Sequence, residues 1–387
     1  MRILFVHEQC GFQGGVEQNV AEVAAALRAR GHACHLAFLR PTPRDPDGFA
    51  ARFDGVTCVA DAPADSLART ADAFRADVAY FHKWPALPPA GACRRVRMVH
   101  DHDLCCPRSH KYFAWPDRTC RYPAGWRCWL DLAFLRRSTG GPLPIGFADV
   151  PAHAREMRRN RDLDALLVAS RFMRDELRMN GFPEDRIHVV PPAVHVPDEP
   201  PPPPPSGRLV LFVGQLIRGK GVDLLLQALA RVREPWDLVL AGDGNARDRL
   251  QRLSSRLGLS DRVRFPGFLA SGDLPAWYRQ ARIVAVPSRW PEPFGMVGLE
   301  AMHRGRPVAA FSVGGIPDWC LDGETGLLAP DRDVDGLADR IGQLLRDDGL
   351  AARLGARARR VARERFPFEG YVARLESVLA GRDPQAD

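Results

Sequence analysis

Short apolar runs recur along the whole chain, at residues 2–6, 35–39, 78–81, 97–99, 164–169, 186–190, 209–213, 238–241, 262–268, 283–286 and 307–310. Several are closed by glycine or proline. Runs this short, rich in valine, isoleucine and leucine, predict strands buried on both faces, as in parallel sheets. Between them the spacing becomes helical. Val20, Val23, Ala24 and Leu27 share one face and stop at Gly31, and Phe172 to Met179 follow Ser170, a good N-cap. Val222 to Ala230, the stretch from Leu299 to Met302, and Tyr371, Leu375 and Val378 repeat the pattern. Strand alternating with helix predicts an α/β fold with parallel sheets.

The alternation is interrupted twice. Residues 104–150 mix Cys, Trp, Tyr, Phe, Arg and Pro, and predict a large loop, or a helix with irregular flanks, inserted over the sheet. Pro200 to Pro205 are consecutive prolines, which form a stiff, extended spacer. A chain of 387 residues exceeds one ordinary core. The expected division is therefore a first domain at 1–198, a linker at 199–206, a second domain at 207–365, and a helical tail at 366–387 packing back on the first.

Composition narrows the class of partner. No apolar run approaches the roughly 20 residues of a membrane span. Met1 to Val6 run straight into His7 and Glu8, unlike a secretion signal, so a cytoplasmic location is expected. The net charge of +7 suits anionic partners, whether nucleotide phosphates, membrane headgroups or nucleic acid. Dispersed basic residues and the lack of a base-stacking module argue against nucleic acid. The nine cysteines read as reduced thiols. Cys105, Cys106, Cys120 and Cys128, with His102 and His110, are either ordinary thiols or ligands of a structural zinc, although adjacent cysteines without a CxxC pair fit zinc poorly. Aromatics interleave with arginines in the same segment (Tyr112, Phe113, Trp115, Trp126, Trp129, Arg136, Arg137). They read as a packed subdomain, an acceptor lid, or a surface for peripheral contact with the inner face of a membrane.

Candidate chemistry collects where open α/β sheets place it, at the carboxyl ends of strands. Gly14 and Gly15 follow the first strand and let backbone approach a phosphate or sugar, or simply make a tight turn. His100 and Asp101 end another strand and are candidates for a reaction centre. Gly214 to Gly221 nearly match a P-loop, but Gly221 has no hydroxyl to hold Mg²⁺, which argues against NTP hydrolysis. Arg218 and Lys220 remain as a cationic pair suited to a diphosphate without a metal. Glu292 and Glu300 bracket a loop broken by proline and glycine, with Glu300 expected in the first turn of the following helix. They serve either a bound ligand or, more plainly, as a solvated loop charge and a helix cap.

The order of these elements carries a resemblance. Gly14-Gly15, His100-Asp101, Gly214 through Arg218 and Lys220 to Gly221, Gly242-Asp243-Gly244, Phe265-Pro266-Gly267, Glu292-x7-Glu300 and Gly314-Gly315-Ile316-Pro317 resemble the retaining glycosyltransferases of family 4 over nearly the whole chain. That family has the GT-B fold, two facing Rossmann-like domains with an interdomain cleft. The resemblance implies Glu300 on the ribose, Arg218 and Lys220 on the diphosphate, and Glu292 with the backbone of Phe294, Gly295 and Met296 on the donor sugar. It implies Gly14 and Gly15 near the diphosphate and acceptor, Gly214 and Gly242 lining the donor, Gly267 and Phe268 bounding the base, and His100 near the reacting carbon. No metal or other cofactor is required, and the donor is a nucleotide sugar, with UDP sugars favoured and GDP-mannose second. The acceptor is a glycan, a glycolipid or a small molecule. Asp318 departs from the family's usual glutamate and is left outside the site. A nucleotide-sugar 2-epimerase and a non-catalytic nucleotide-sugar-binding protein are the alternatives of other classes.

Overall fold

Apolar runs with no polar alternation form strands because helices cover both faces of the sheets they enter. The structure, a computed structural model, describes residues 1–12, 14–85, 87, 91, 93–114, 117–132, 134–137, 145–196, 207–270 and 272–382. The expected linker at 199–206, and Trp115, lie outside the described residues. So do the side chains of Arg136 and Arg137. The strands are β1 (Arg2–Cys10), β2 (Ala33–Pro41), β3 (Gly55–Cys58), β4 (Val78–Phe81), β5 (Arg94–Val99), β6 (Tyr112–Ala114), β7 (Asp117–Thr119), β8 (Leu135–Arg137), β9 (Ile145–Phe147), β10 (Ala165–Val168) and β11 (Ile187–Val189). They continue as β12 (Leu209–Val213), β13 (Asp237–Ala241), β14 (Val263–Gly267), β15 (Ile283–Val286), β16 (Val308–Phe311) and β17 (Gly326–Ala329).

The chain divides into two compact units, the first formed by Met1–Lys111, Arg121–Pro192 and Phe368–Asp387, the second by Tyr112–Cys120 and Ala193–Pro367. The first holds a seven-stranded sheet in the order β11-β10-β5-β4-β1-β2-β3, the second a six-stranded sheet in the order β14-β13-β12-β15-β16-β17. Every pairing in both sheets is parallel. In each, the order reverses beside the unit's first strand, between β1 and β4 and between β12 and β15. Such a reversal splays two loops apart at the carboxyl edge and leaves a crevice for a ligand.

Two local features bear on how the chain divides. The tail helix Phe368–Leu379 buries Tyr371 and Leu375, and belongs to the first unit. Its Tyr371 hydroxyl donates to Asn19 Oδ1 at 3.0 Å, and Arg30 pairs with Glu369 and Glu376. The segment 104–150, expected as one loop or helix, instead forms the antiparallel hairpins β6–β7 and β8–β9 with a short helix, Arg127–Leu130. The division also differs: the β6–β7 hairpin lies in the second unit, not with 1–198. Arg289 and Arg332 of that unit hold its Asp117 at 3.3 and 3.1 Å. Among the described residues no helix is long and apolar enough to cross a membrane.

Candidate active site

In the second unit the two loops flanking the reversal carry the residues singled out from sequence. The loop after β12 turns through a short 3-10 segment, Arg218–Lys220. The loop after β15 carries Ser288 to Gly295 into the helix Met296–His303. They are joined by backbone, since the N–H groups of Arg289 and Trp290 both donate to the carbonyl of Gly219, at 3.0 and 3.1 Å.

Lys220 and Glu292 meet across this junction. Lys220 Nζ donates to Glu292 Oε1 at 2.7 Å, and Ser288 Oγ donates to the same oxygen at 2.5 Å. Glu292 is only 4% exposed, so it is not the solvated loop charge of the plainer reading. Burial opposes its ionisation, but the Lys220 ammonium and the hydrogen bonds from Lys220, Ser288 and Trp290 outweigh it, and the carboxyl stays below its ordinary pKa. The result is an oriented cation–carboxylate pair. Lys220 also lies over the Trp290 ring, 5.5 Å from its centroid.

Glycines make the two loops fit. Gly221 has φ +67°, and a Cβ there would stand 1.8 Å from the carbonyl oxygen of Pro287. The P-loop hydroxyl is therefore missing because the neighbouring loop fills its space. Gly314, at φ +56°, does the same for Glu292: a Cβ would lie 2.3 Å from the Glu292 carbonyl oxygen, to which Gly315 donates at 2.7 Å. The Gly314-Gly315 element thus braces the glutamate from behind.

Glu300 is corrected in one respect. It falls in the second turn of Met296–His303, so it caps no helix. Its carboxylate accepts from the hydroxyl of Tyr278 at 2.8 Å. Tyr278 is fully buried, and burial followed by the Glu300 charge pushes its pKa well above the ordinary value, keeping it a donor. Sequence reasoning missed Tyr278, which looks like any core aromatic of the helix Leu274–Gln280. Among the other expected residues, Gly214, Gly242 and Gly267 stand together at the ends of β12, β13 and β14, where Gly242 N donates to the carbonyl of Gly267 at 2.8 Å. Phe268 follows them and is exposed. Gly295 caps the helix that Met296 begins. Phe294 is buried edge-on against Phe366, which leaves its backbone rather than its ring to a ligand.

Arg218 has a neighbour that no motif announces. Its Nη2 lies 3.5 Å from Asp117 Oδ2, on the β6–β7 hairpin. Arg289, buried behind it, holds both oxygens of Asp223 at 3.0 and 2.9 Å.

The first unit has its own polar cluster at its own reversal. His82 follows β4 and His100 follows β5, and His82 Nδ1 is 2.9 Å from His100 Nε2. Burial pushes both well below their ordinary pKa, with Lys83 and His7 adding to the effect at His100. Both rings are therefore neutral, one donating to the other. Asp101 Oδ2 pairs with Lys83 at 3.4 Å. Gly14 caps the helix Gly15–Ala29, and its N–H donates to Glu17 Oε2 at 2.8 Å. The zinc alternative finds no geometry: among the described residues no three His, Cys, Asp or Glu side chains gather to hold a metal. Cys105 and Cys106 are buried in the first unit, whereas Cys120 belongs to the second, and Cys128 Sγ accepts from Gly125 N at 3.5 Å.

Two α/β units with parallel sheets, the second with the strand order of a dinucleotide-binding domain and a cation–carboxylate pair at its reversal, define a protein of the GT-B class. Anabaena HepE in complex with UDP and glucose superposes with a TM-score of 0.72 at 20% identity, covering 98% of this chain and 100% of that one. The family follows from sequence. Residues 13–197 match the model described as Glycosyltransferase Family 4, and residues 198–361 the one described as Glycosyl transferases group 1. A GDP-mannose-dependent alpha-(1-6)-phosphatidylinositol monomannoside mannosyltransferase of Mycolicibacterium smegmatis is 30% identical over 62% of this chain and 68% of its own length. A D-inositol 3-phosphate glycosyltransferase of Xylanimonas cellulosilytica is 37% identical over 56% of this chain, and the match spans 57% of its length. The chain belongs to glycosyltransferase family 4.

Proposed function

We propose that the chain moves a sugar from a nucleoside-diphosphate sugar to a hydroxyl acceptor, without a metal ion and with retention at the anomeric carbon. The reading rests on one observation above others, the 2.7 Å pairing of Lys220 with Glu292 across the two loops at the strand-order reversal. As the anomeric carbon–oxygen bond breaks, negative charge grows on the β-phosphate. Arg218, Lys220 and the N-terminus of Met296–His303 stabilise that charge, the role a metal has in other transferases. Glu292, with the backbone N–H groups of Phe294, Gly295 and Met296, holds hydroxyls of the sugar. Glu300 accepts from the ribose, with Gly214 and Gly242 alongside, and Gly267 and Phe268 bound the base. In the first unit, His100 serves the donor sugar near the reacting carbon, and Gly14 and Gly15 serve the diphosphate and the acceptor. The acceptor hydroxyl attacks from the face the diphosphate leaves, and its proton passes to the departing phosphate, so no protein nucleophile is needed.

UDP sugars are the first choice of donor and GDP-mannose the second. HepE is described with UDP, and the mycolicibacterial relative is named for GDP-mannose. A glycan, a lipid-linked glycan or a small molecule such as a phosphorylated polyol is the acceptor class, the relatives being named for inositol 3-phosphate and a phosphatidylinositol mannoside.

Calorimetry with UDP and GDP tests the donor site. Lys220→Ala is expected to weaken the preferred diphosphate by about 30-fold, the worth of one charge-assisted hydrogen bond of roughly 2 kcal/mol. Glu292→Gln is expected to retain nucleotide binding and lose transfer by about a hundredfold, since its contacts are to the sugar. Failure of wild-type protein to bind either diphosphate sinks the assignment. Epimerisation of a nucleotide sugar without any acceptor redirects it to a 2-epimerase.

A further inference from the structure

The donor-phosphate loop of the second unit is already occupied by an anion, and the chain itself supplies it. Asp117, on β7 of the hairpin, faces three guanidinium groups: Arg332 at 3.1 Å, Arg289 at 3.3 Å and Arg218 at 3.5 Å. Each of the first two has a further carboxylate of its own, Asp331 for Arg332 and Asp223 for Arg289. The hairpin is anchored by more than charge. Thr119 Oγ1 donates to Asp331 at 3.2 Å and accepts from Arg332, and Arg332 also donates to the Arg289 carbonyl at 2.9 Å. The ring of Tyr112 lies against the phosphate loop, so that a methyl group on Gly219, between Arg218 and Lys220, would touch it at 3.5 Å.

Electrostatics makes this arrangement a choice between two anions. The guanidiniums here are balanced by carboxylates, so a dianionic diphosphate entering at Arg218 meets the Asp117 charge a few ångströms away. Like charges at such separation repel, the more strongly the lower the local dielectric. Asp117 is the partner able to yield, because it is about one-third exposed and rides on a two-stranded hairpin, whereas Asp223 is mostly covered.

We propose that the β6–β7 hairpin is a clasp over the donor site, and that Asp117 and the donor's diphosphate compete for Arg218. Without donor, Asp117 holds the hairpin down and screens the phosphate loop. Donor binding displaces the carboxylate from Arg218 and releases the hairpin. The clasp rests on Arg218 and Lys220 being the donor-phosphate site, and adds a residue that the motifs of the sequence do not mark.

Calorimetry on the full chain with UDP, GDP, UMP and GMP distinguishes the possibilities. A competing anion lowers apparent affinity by the fraction of protein it leaves competent, so Asp117→Asn is expected to bind the preferred diphosphate about three- to tenfold more tightly. The matching monophosphate, which lacks the β-phosphate, is expected to change by less than about twofold. Arg332→Gln, which loosens the hairpin without touching Arg218, is expected to tighten diphosphate binding in the same direction. Hydrogen exchange of residues 112–114 and 117–120 is expected to quicken when the diphosphate is added to wild-type protein. Equal or weaker diphosphate binding by both variants, with wild-type binding intact, overturns the clasp, as does exchange that UDP and GDP leave unchanged. Wild-type protein that binds neither diphosphate overturns the donor-site reading, and the clasp with it.

Discussion

Glu292 and Glu300 look alike in the sequence, yet the fold treats them differently. Glu292 is buried and paired with a cation, which fixes the position of its charge. Glu300 accepts from a neutral donor, the Tyr278 hydroxyl. The difference makes the tyrosine oxygen a test of the ribose contact. Tyr278→Phe leaves the ring packed and removes only the bond that aims Glu300. Because a ribose contact is made equally in ground and transition states, donor KM is expected to rise by about tenfold with kcat nearly unchanged. Steady-state kinetics against donor concentration reads this directly, and an unchanged KM removes Tyr278 from the site. Both glutamates were visible from their spacing. Tyr278 was not, because a buried tyrosine in a helix carries no local sign of which partner its hydroxyl will reach.

At the scale of elements, the two loops at the second reversal are built for each other. Gly221 ends the 3-10 turn of Arg218–Lys220 in a left-handed conformation, with the Pro287 carbonyl where a side chain would stand. Restoring a P-loop hydroxyl by Gly221→Ser therefore adds backbone strain and a clash rather than a metal ligand. The expected cost is about 2 kcal/mol or more, lowering the melting temperature by about 4 °C or more. Thermal unfolding followed by circular dichroism checks it, and a variant as stable as wild type contradicts the packing of the two loops. The P-loop departure was legible in the sequence, but its cause was not, since Pro287 lies far along the chain and only sheet pairing of β12 with β15 brings it near.

At the scale of the whole molecule, the first unit carries exposed aromatic and apolar side chains. Trp126 is 68% exposed, and Leu130 and Phe147 are 72% and 75% exposed, around the short helix Arg127–Leu130. Arg127 stacks over Tyr122 and Trp126, with its guanidinium carbon 4.5 and 5.6 Å from the ring centroids. Aromatics beside arginine suit a headgroup interface, and peripheral contact with anionic lipid remains a proposal on this ground. Flotation with vesicles containing anionic lipid is expected to carry the wild-type chain upward. Trp126→Ala combined with Phe147→Ala is expected to leave most of the protein in the soluble fraction. Wild-type protein that stays with the soluble fraction removes the membrane reading.

The sequence by itself determined the alternation of buried strands and amphipathic helices, because burial on both faces needs continuous apolar runs that can be read locally. It also marked the glycines, the cationic pair and the two glutamates, whose spacing along the chain carries their chemistry. Tertiary structure alone decided which of these meet: that Lys220 pairs with Glu292, and that the Tyr278 hydroxyl donates to Glu300. It also decided where the hairpin of residues 112–120 goes. In the sequence that stretch is one part of an aromatic, arginine-rich insertion in the first half of the chain. Its place in the second unit depends on Asp117 finding arginines more than a hundred and up to about two hundred positions away, at Arg218, Arg289 and Arg332. Pairings at that separation leave no periodic signal in either partner, because each side chain is free to meet any opposite charge until the fold has brought one of them near.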